Sequence, residues 1–420
     1  MCERQGKLVW YRLLPALLLC GCHGLHADPS GQSFADIERG RYLTAAADCD
    51  ACHTDPADNR PFAGGRVIET PFGLVAAANI TPDPETGIGN WTDQQFDNAL
   101  RLGQRPDGSR LYPAMPYPYY TRMTAQDIQA IRSYLRTLTP VHHAVRTNRL
   151  PFPFNIRAAM RLWDALYFKP GVLESNPTQS AEWNRGAYLV EGPGHCAACH
   201  TPKNMLGGDR NKQRLRGYSI QGWFAPDISN DPFSGIGKWS GRDIVDYLKS
   251  GHNRWAGAAG SMAEEVTHSS ANLTEADLAA IATYLETQPG QTPSATPLSS
   301  SNPTMAAGAA IYADLCSACH RQDGTGSEFL FPNLAASGAT ASRETTSIVR
   351  VILQGAATAA THDEPTGPAM PAYGWQLNDA QIASVATYIR NSWGHAAAAT
   401  TPEEVHKARQ QLQASANQPP

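Results

Sequence analysis

The chain has 420 residues, of which 17% are charged, and a formal net charge of −4. That balance gives no reason to expect nucleic acid, and 42% hydrophobic residues mark an ordinary globular protein rather than a disordered one. The length predicts roughly two to four domains.

The N-terminus reads as a secretory signal over residues 1–27. Arg4, Lys7 and Arg12 supply positive charge, and Leu13–Leu19 is a short apolar run broken only by Pro15. It falls well short of the ~20 residues that span a bilayer. Two cleavage readings compete. Leu25-His26-Ala27 fits a small-residue site with a mature start at Asp28, whereas Leu19-Cys20-Gly21-Cys22 resembles a lipoprotein box with Cys22 lipidated. Cys20 is an unusual second residue for such a box. No later apolar stretch is long enough to cross a membrane, so membrane association is expected to be peripheral, lipid-borne or through a partner.

Cys-x-x-Cys-His occurs three times: Cys49, Cys52 and His53; Cys196, Cys199 and His200; Cys316, Cys319 and His320. This is the c-type haem attachment signature. Two thiols on one helical turn can each form a thioether to a haem vinyl group, and the adjacent His then faces the iron. A single copy could instead be a redox dithiol or half of a zinc site. Three evenly placed copies in an exported chain favour three covalently bound haem c groups. Of nine cysteines, the remaining three (Cys2, Cys20 and Cys22) lie in the first 22 residues, so the mature chain has none left to form a disulfide framework.

An internal repeat sets the domain number. The first two motifs are offset by 147 residues, as are Met115 and Met262. Arg39-Gly40-Arg41-Tyr42-Leu43 is answered by Arg185-Gly186-Ala187-Tyr188-Leu189, and Gly87-Ile88-Gly89 with Trp91 by Gly235-Ile236-Gly237 with Trp239. The third unit is shorter but keeps the plan. In each, a helix ends in glycine: Phe96, Leu100, Gly103; Ile244, Leu248, Gly251; Ile348, Ile352, Gly355. The glycine suits a left-handed cap. Each unit closes on a helix introduced by Thr124, Thr274 or Asn378, with Asp127, Asp277 or Gln381 three residues on in the manner of a capping box. Apolar stripes follow: Ile128, Ile131, Leu135; Leu278, Ile281, Leu285; Ile382, Val385, Ile389. The prediction is all-α, three tandem class I cytochrome c domains at 34–140, 181–288 and 305–394, followed by a tail at 395–420.

The sixth iron ligand in each unit should be a Met before the closing helix. Met115 lies in Ala114-Met115-Pro116 and Met370 in Ala369-Met370-Pro371; Met262 lacks the proline but sits as far after His200 as Met115 does after His53. A Met is otherwise a flexible core filler, and His252 and His268 are substitutes to weigh in the second unit. His/Met ligation raises the haem potential and fills both axial sites. Pro332 stands where a carbonyl should accept from the His320 ring, with a plain turn proline as the alternative; Asn79 and Asp227 lie in the analogous regions.

Residues 141–180 form a linker in which Ile156, Met160, Trp163 and Tyr167 share a helical face, with Arg157, Arg161 and Asp164 elsewhere. It reads either as an inter-domain strut or as a docking helix for a dehydrogenase or lipid headgroups. Residues 289–304, rich in Pro, Ser and Thr, read as a tether that lets the third unit move.

Several longer stretches carry a resemblance: Asn79-Ile-Thr-Pro-Asp83, Leu111-Tyr-Pro-Ala-Met-Pro-Tyr117, Leu150-Pro-Phe-Pro-Phe-Asn-Ile-Arg157, Ser180-Ala-Glu-Trp-Asn-Arg-Gly-Ala-Tyr188 and Asn391-Ser-Trp393. The chain resembles the trihaem cytochrome c subunit of membrane-bound dehydrogenases of the quinohaemoprotein alcohol, gluconate and sorbitol types. The resemblance implies a large subunit carrying pyrroloquinoline quinone or FAD, with or without a small subunit, at the periplasmic face of the bacterial cytoplasmic membrane. It also implies ubiquinone as electron acceptor. An electron-transfer subunit is favoured over a haem enzyme with an open axial site, such as a peroxidase or small-anion oxidoreductase, and over a terminal-oxidase module. No nucleotide-binding glycine motif or nucleophile–base set is visible, so no catalysis by the chain alone is expected.

Overall fold

The computed structural model describes residues 33–58, 60–291, 296–342 and 344–416. The predicted signal segment with Cys2, Cys20 and Cys22 lies outside them, as do residues 292–295 of the predicted tether. The described residues form three successive helical units. Each begins with a capped helix: Phe34–Ala46 behind Ser33, Ala181–Glu191 behind Ser180, and Pro303–Ile311 behind Asn302. In each case the cap side chain accepts from a backbone N–H in the first turn. Each opening helix crosses a closing helix, Ala125–Leu135, Glu275–Leu285 or Asp379–Ile389.

The crossing works because one residue in each opening helix has no side chain. A methyl group on Gly40, Gly186 or Gly308 would collide with the backbone carbonyl of Ala130, Ala280 or Ser384. Around these crossings the predicted stripes are buried. Ile128, Ile131 and Leu135 belong to one core, Leu278, Ile281 and Leu285 to a second, and Ile382, Val385 and Ile389 to a third.

The predicted caps are present, with informative differences. Thr124 and Thr274 accept from the N–H of Asp127 and Asp277, but the reciprocal bond occurs only at Asn378 and Gln381. The two aspartates are drawn away by arginine and tyrosine partners instead. Gly103 and Gly251 take the left-handed conformation; Gly355 has φ 76° but ψ −178°. It leads straight into Ala356–Ala357, which pairs with Ala369–Met370.

That pairing is one of three short antiparallel hairpins that an all-helical prediction omitted. The others are Val67–Thr70 with Gly73–Ala76, and Arg216–Ile220 with Trp223–Asp227. In the latter the two turn residues, Gln221 and Gly222, both have positive φ, which matches the strand twist. Alternation in these loops is too brief to register as strand in a sequence.

Two expectations about the flanks are corrected. The third unit does not swing free: it is docked on the second. Ser347 Oγ accepts from Phe224 N at 2.8 Å and donates to Phe224 O at 3.2 Å. Arg350 donates to the carbonyls of Gln221 and Gly222 and lies over the Trp223 ring. His252 reaches Glu364 at 2.7 Å. The composition of a linker says nothing about contacts made by a distant hairpin. Nor is the C-terminus a bare tail: helix Pro402–Ala416 buries Val405 fully in the third core, and Arg409 donates to Asp379 and to the carbonyls of Gly374 and Leu377.

The linker at 141–180 contains helix Met160–Tyr167. Its inner side differs from the expected face, because Asp164 is buried there, accepting from the Tyr117 hydroxyl at 2.6 Å beside Arg110 at 3.3 Å. Trp163 donates to Leu206 O at 2.8 Å, and the Tyr167 ring abuts Gly208. The segment is thus a strut between the first two units.

Candidate functional site

Each Cys-x-x-Cys-His turn lies shortly after its opening helix and is entered by a backbone reversal. Asp48 (φ 49°) and His195 (φ 37°) provide it in the first two units, and a π-helical turn, Tyr312–Cys316, in the third. The first motif forms helix Cys49–His53; the others form Ala197–His200 and Ser317–His320. None of the six cysteines is in a disulfide.

The three histidines are held alike. Nδ1 of His53 lies 2.6 Å from Ala78 O, that of His200 2.6 Å from Pro226 O, and that of His320 3.2 Å from Pro332 O. A carbonyl only accepts, so Nδ1 carries the proton and Nε2 keeps its lone pair. Burial holds each imidazole below its ordinary pKa, against the opposing effect of that carbonyl bond. The ring is therefore neutral and oriented, as a metal ligand requires. Pro332 supplies the carbonyl expected of it. In the other units the acceptor is the residue just before Asn79 and Asp227. Asn79 stiffens that turn by accepting from Thr81 N at 2.9 Å and donating to Val141 O at 2.8 Å.

A single connected cavity of about 2130 Å³ runs along all three motifs. A pocket for one small ligand holds ~300–1000 Å³, so this volume suits several large groups. Its wall contains Cys49, Cys52, His53 and Met115; Cys196, Cys199, His200 and Met262; Cys316, His320 and Met370. Cys319 is exposed and is not part of the wall. The apolar lining includes the residue pairs preceding each cap glycine: Phe96 and Leu100, Ile244 and Leu248, Ile348 and Ile352. Neutral imidazoles with free Nε2, unpaired thiols and an apolar cavity fit covalent haem c. Two half-buried carboxyls on the wall are shifted: burial pushes Asp48 well up and Glu265 to about 7.

The methionines occupy different local structures. Met115 follows a turn and packs on the first core, Met370 is in a strand, and Met262 is in helix Ser261–His268. The two histidines weighed as substitutes for Met262 point elsewhere. His252 is engaged with Glu364, and His268 with Asp50 at 2.8 Å. Asp50 lies inside the first motif, so helix Ser261–His268 clamps one unit while carrying Met262 of the next. Glu264 strengthens the clamp at 2.6 Å from Arg66, which also donates to Ala51 O.

Sequence reasoning missed this clamp, and also a reciprocal tyrosine exchange between the first two units. Tyr42 donates to Asp277, which Arg185 also holds. Tyr188 donates to Asp127, which Arg39 also holds. The signal was available, since Arg and Tyr recur at both positions in the repeat.

Fold and site together define a c-type cytochrome, and the Cytochrome c family model matches residues 37–139, 184–289 and 305–393. The chain is 39% identical over 413 residues to the fructose dehydrogenase cytochrome subunit of Gluconobacter japonicus, covering 91% of this chain and 84% of that one. It is 37% identical to the gluconate 2-dehydrogenase cytochrome c subunit of Pantoea cypripedii, covering 91% of each. It is 38% identical to the cytochrome c subunit of the quinone alcohol dehydrogenase of Gluconacetobacter polyoxogenes, covering 89% and 84%. The chain belongs to this family of dehydrogenase cytochrome c subunits, whose role is electron transfer.

Proposed function

We propose that the chain binds three haem c groups and passes electrons from a dehydrogenase large subunit, carrying FAD or pyrroloquinoline quinone, to ubiquinone. It works at the periplasmic face of the cytoplasmic membrane, with or without a small subunit. Haem c supplies reversible one-electron iron chemistry. The thiols of Cys49 and Cys52, Cys196 and Cys199, and Cys316 and Cys319 anchor the groups. His53, His200 and His320 would hold the iron through Nε2, and Met115, Met262 and Met370 would hold it through their sulfur atoms. The carbonyls of Ala78, Pro226 and Pro332 keep the imidazoles from rotating. The apolar wall excludes water, which lowers the reorganisation that accompanies each change of charge.

The observation that carries the reading is the single cavity touched by all three motifs and all three methionines, since closely spaced redox centres suit stepwise electron passage. Its test is the haem-to-protein ratio, by mass spectrometry of the exported protein with a pyridine haemochrome assay. A mass increment of three haems supports it. Two or fewer in fully matured protein contradicts it.

A further inference from the structure

Half of the large hydrophobic side chains that stand exposed among the described residues fall in two short segments, 152–166 and 205–206. Phe152 is 78% exposed, Leu162 66%, Leu166 59% and Met205 91%. The segments are one surface. Trp163 donates to Leu206 O, Gly207 abuts the Phe72 ring, and Phe72 packs on Phe154 with centroids 4.9 Å apart. Helix Met160–Tyr167 is consequently apolar on both sides: Trp163 and Tyr167 face the protein, while Leu162 and Leu166, one turn apart, face outward. A helix with two apolar faces is normally covered on both, and soluble monomers seldom expose contiguous apolar patches of this kind.

The charges around the surface indicate what covers it. From Val141 to Leu173 the only acid is Asp164, which is buried against Tyr117 and Arg110. Arg146, Arg149, Arg161 and Lys169 are exposed in the same stretch, and Arg210 and Lys212 are exposed beside the 205–206 loop. In that loop Asp209 is taken by Lys203 at 2.5 Å. On the adjoining loop Asp107 is paired with Arg105 at 3.9 Å. Exposed leucine and phenylalanine with a basic fringe, against Glu69 as the one exposed acid on the adjoining hairpin, form the pattern of a segment lying in the headgroup region of an anionic bilayer. No helix among the described residues is long and apolar enough to cross a membrane, so contact of this kind is shallow.

We infer that the surface formed by residues 151–169 and 204–207 inserts into the interface of an anionic phospholipid membrane. Leu162 and Leu166 enter the acyl boundary, and Arg161 and Lys169 bind the headgroup phosphates. Phe154, Leu162, Leu166, Met205 and Leu206 also belong to the wall of the motif-lined cavity. The cavity therefore opens on this side, where a lipid-soluble acceptor would arrive. The inference rests on the electron-transfer reading for that consequence, though not for the binding itself.

The test is sedimentation of the haem-loaded protein with vesicles, in a Cys22→Ser background so that an N-terminal lipid cannot contribute. Vesicles of phosphatidylethanolamine with phosphatidylglycerol should retain the protein, and vesicles of phosphatidylcholine should retain it far less. R161E with K169E should weaken retention by roughly fivefold or more per residue, the equivalent of losing one headgroup contact each. Both side chains are exposed and neither lines the cavity, so Soret and far-UV spectra should be unchanged. In detergent, reduction through the dehydrogenase should also be unchanged. Equal retention of variant and parent, or no retention of the parent, overturns the inference. So does a variant that keeps vesicle binding but loses reduction in detergent, which would make this the dehydrogenase interface. If neither protein is reduced in detergent, the electron-transfer reading fails while the vesicle result still decides the surface.

Discussion

Tyr42 of the first unit donates its hydroxyl to Asp277 of the second at 2.6 Å, and the mirrored bond runs from Tyr188 of the second to Asp127 of the first. Each aspartate is also gripped by an arginine of its own unit, Arg185 or Arg39. The repeat thus builds a pseudo-symmetric seam from one residue pattern used twice. Removing one hydroxyl leaves the partner carboxylate with its arginine, so the main loss is one hydrogen bond to a charged group, with a longer one accepted from the Thr274 or Thr124 N–H at 3.2 Å. Tyr42→Phe should cost about 1.5 kcal/mol, and Tyr188→Phe a similar amount. Arg185, which holds Asp277, also lies over the Tyr188 ring at 5.8 Å, so the two sites are coupled and the double variant should depart from the sum in denaturant unfolding.

The helix-crossing glycines invert the usual propensity argument. Alanine in a helix interior is normally better than glycine by about 1 kcal/mol. At Gly40, Gly186 or Gly308 the added methyl meets a backbone carbonyl that cannot move aside. Gly186→Ala should therefore destabilise by ~1–3 kcal/mol, seen as a lower denaturation midpoint with unchanged slope. A stabilised variant would refute the close crossing.

Ligand assignments predict redox changes that folding changes do not mimic. Met115→Ala and Met370→Ala should keep covalent haem and lower the potential of one haem each, because the Met ligand raises it. Met262→Ala should do the same in the second unit, whereas His252→Ala should leave all potentials in place. A spectroelectrochemical titration unchanged by Met262→Ala would remove that residue from the ligand set.

The clamp between His268 and Asp50 makes one contact pH-sensitive. The hydrogen bond to Asp50 raises the His268 pKa, and the same bond lowers that of Asp50. For His268 the stabilisation is full below the ordinary value of ~6.5 and is lost as pH rises through the raised one. For Asp50 it is present above the ordinary ~3.9 and is lost as pH falls through the lowered one. Stability should thus be greatest between those two ordinary values. Both groups are about one-third exposed, so the effect is at most about 1 kcal/mol. Thermal melts at pH 6 and pH 9 (roughly a full window above the His value) should differ by more in the parent than in His268→Gln.

What could be read from the sequence followed periodicity and repetition. The three motifs, the closing-helix stripes and the N-caps all depend on local spacing, and each lies where spacing put it. The tyrosine seam was half legible. The third unit has Ala307, Ala310 and Gln381 where the paired units have Arg, Tyr and Asp, and of the three closing helices only its own has the complete capping box. The docking of the third unit, the placement of Asp164 and the helical tail were not legible. They depend on contacts across more than a hundred residues or on single buried side chains, which leave no period. Likewise the His ring acceptors in the first two units are backbone carbonyls, and any residue type can provide one.

The most direct measurement is haem reduction at the α-band, comparing the isolated chain with the complex purified from membranes, with fructose, gluconate and ethanol offered in turn. The account predicts reduction only in the complex and only by one substrate, followed by reoxidation on adding a ubiquinone analogue. Reduction of the isolated chain by any of these substrates, or binding of carbon monoxide to one of its reduced haems, would contradict it.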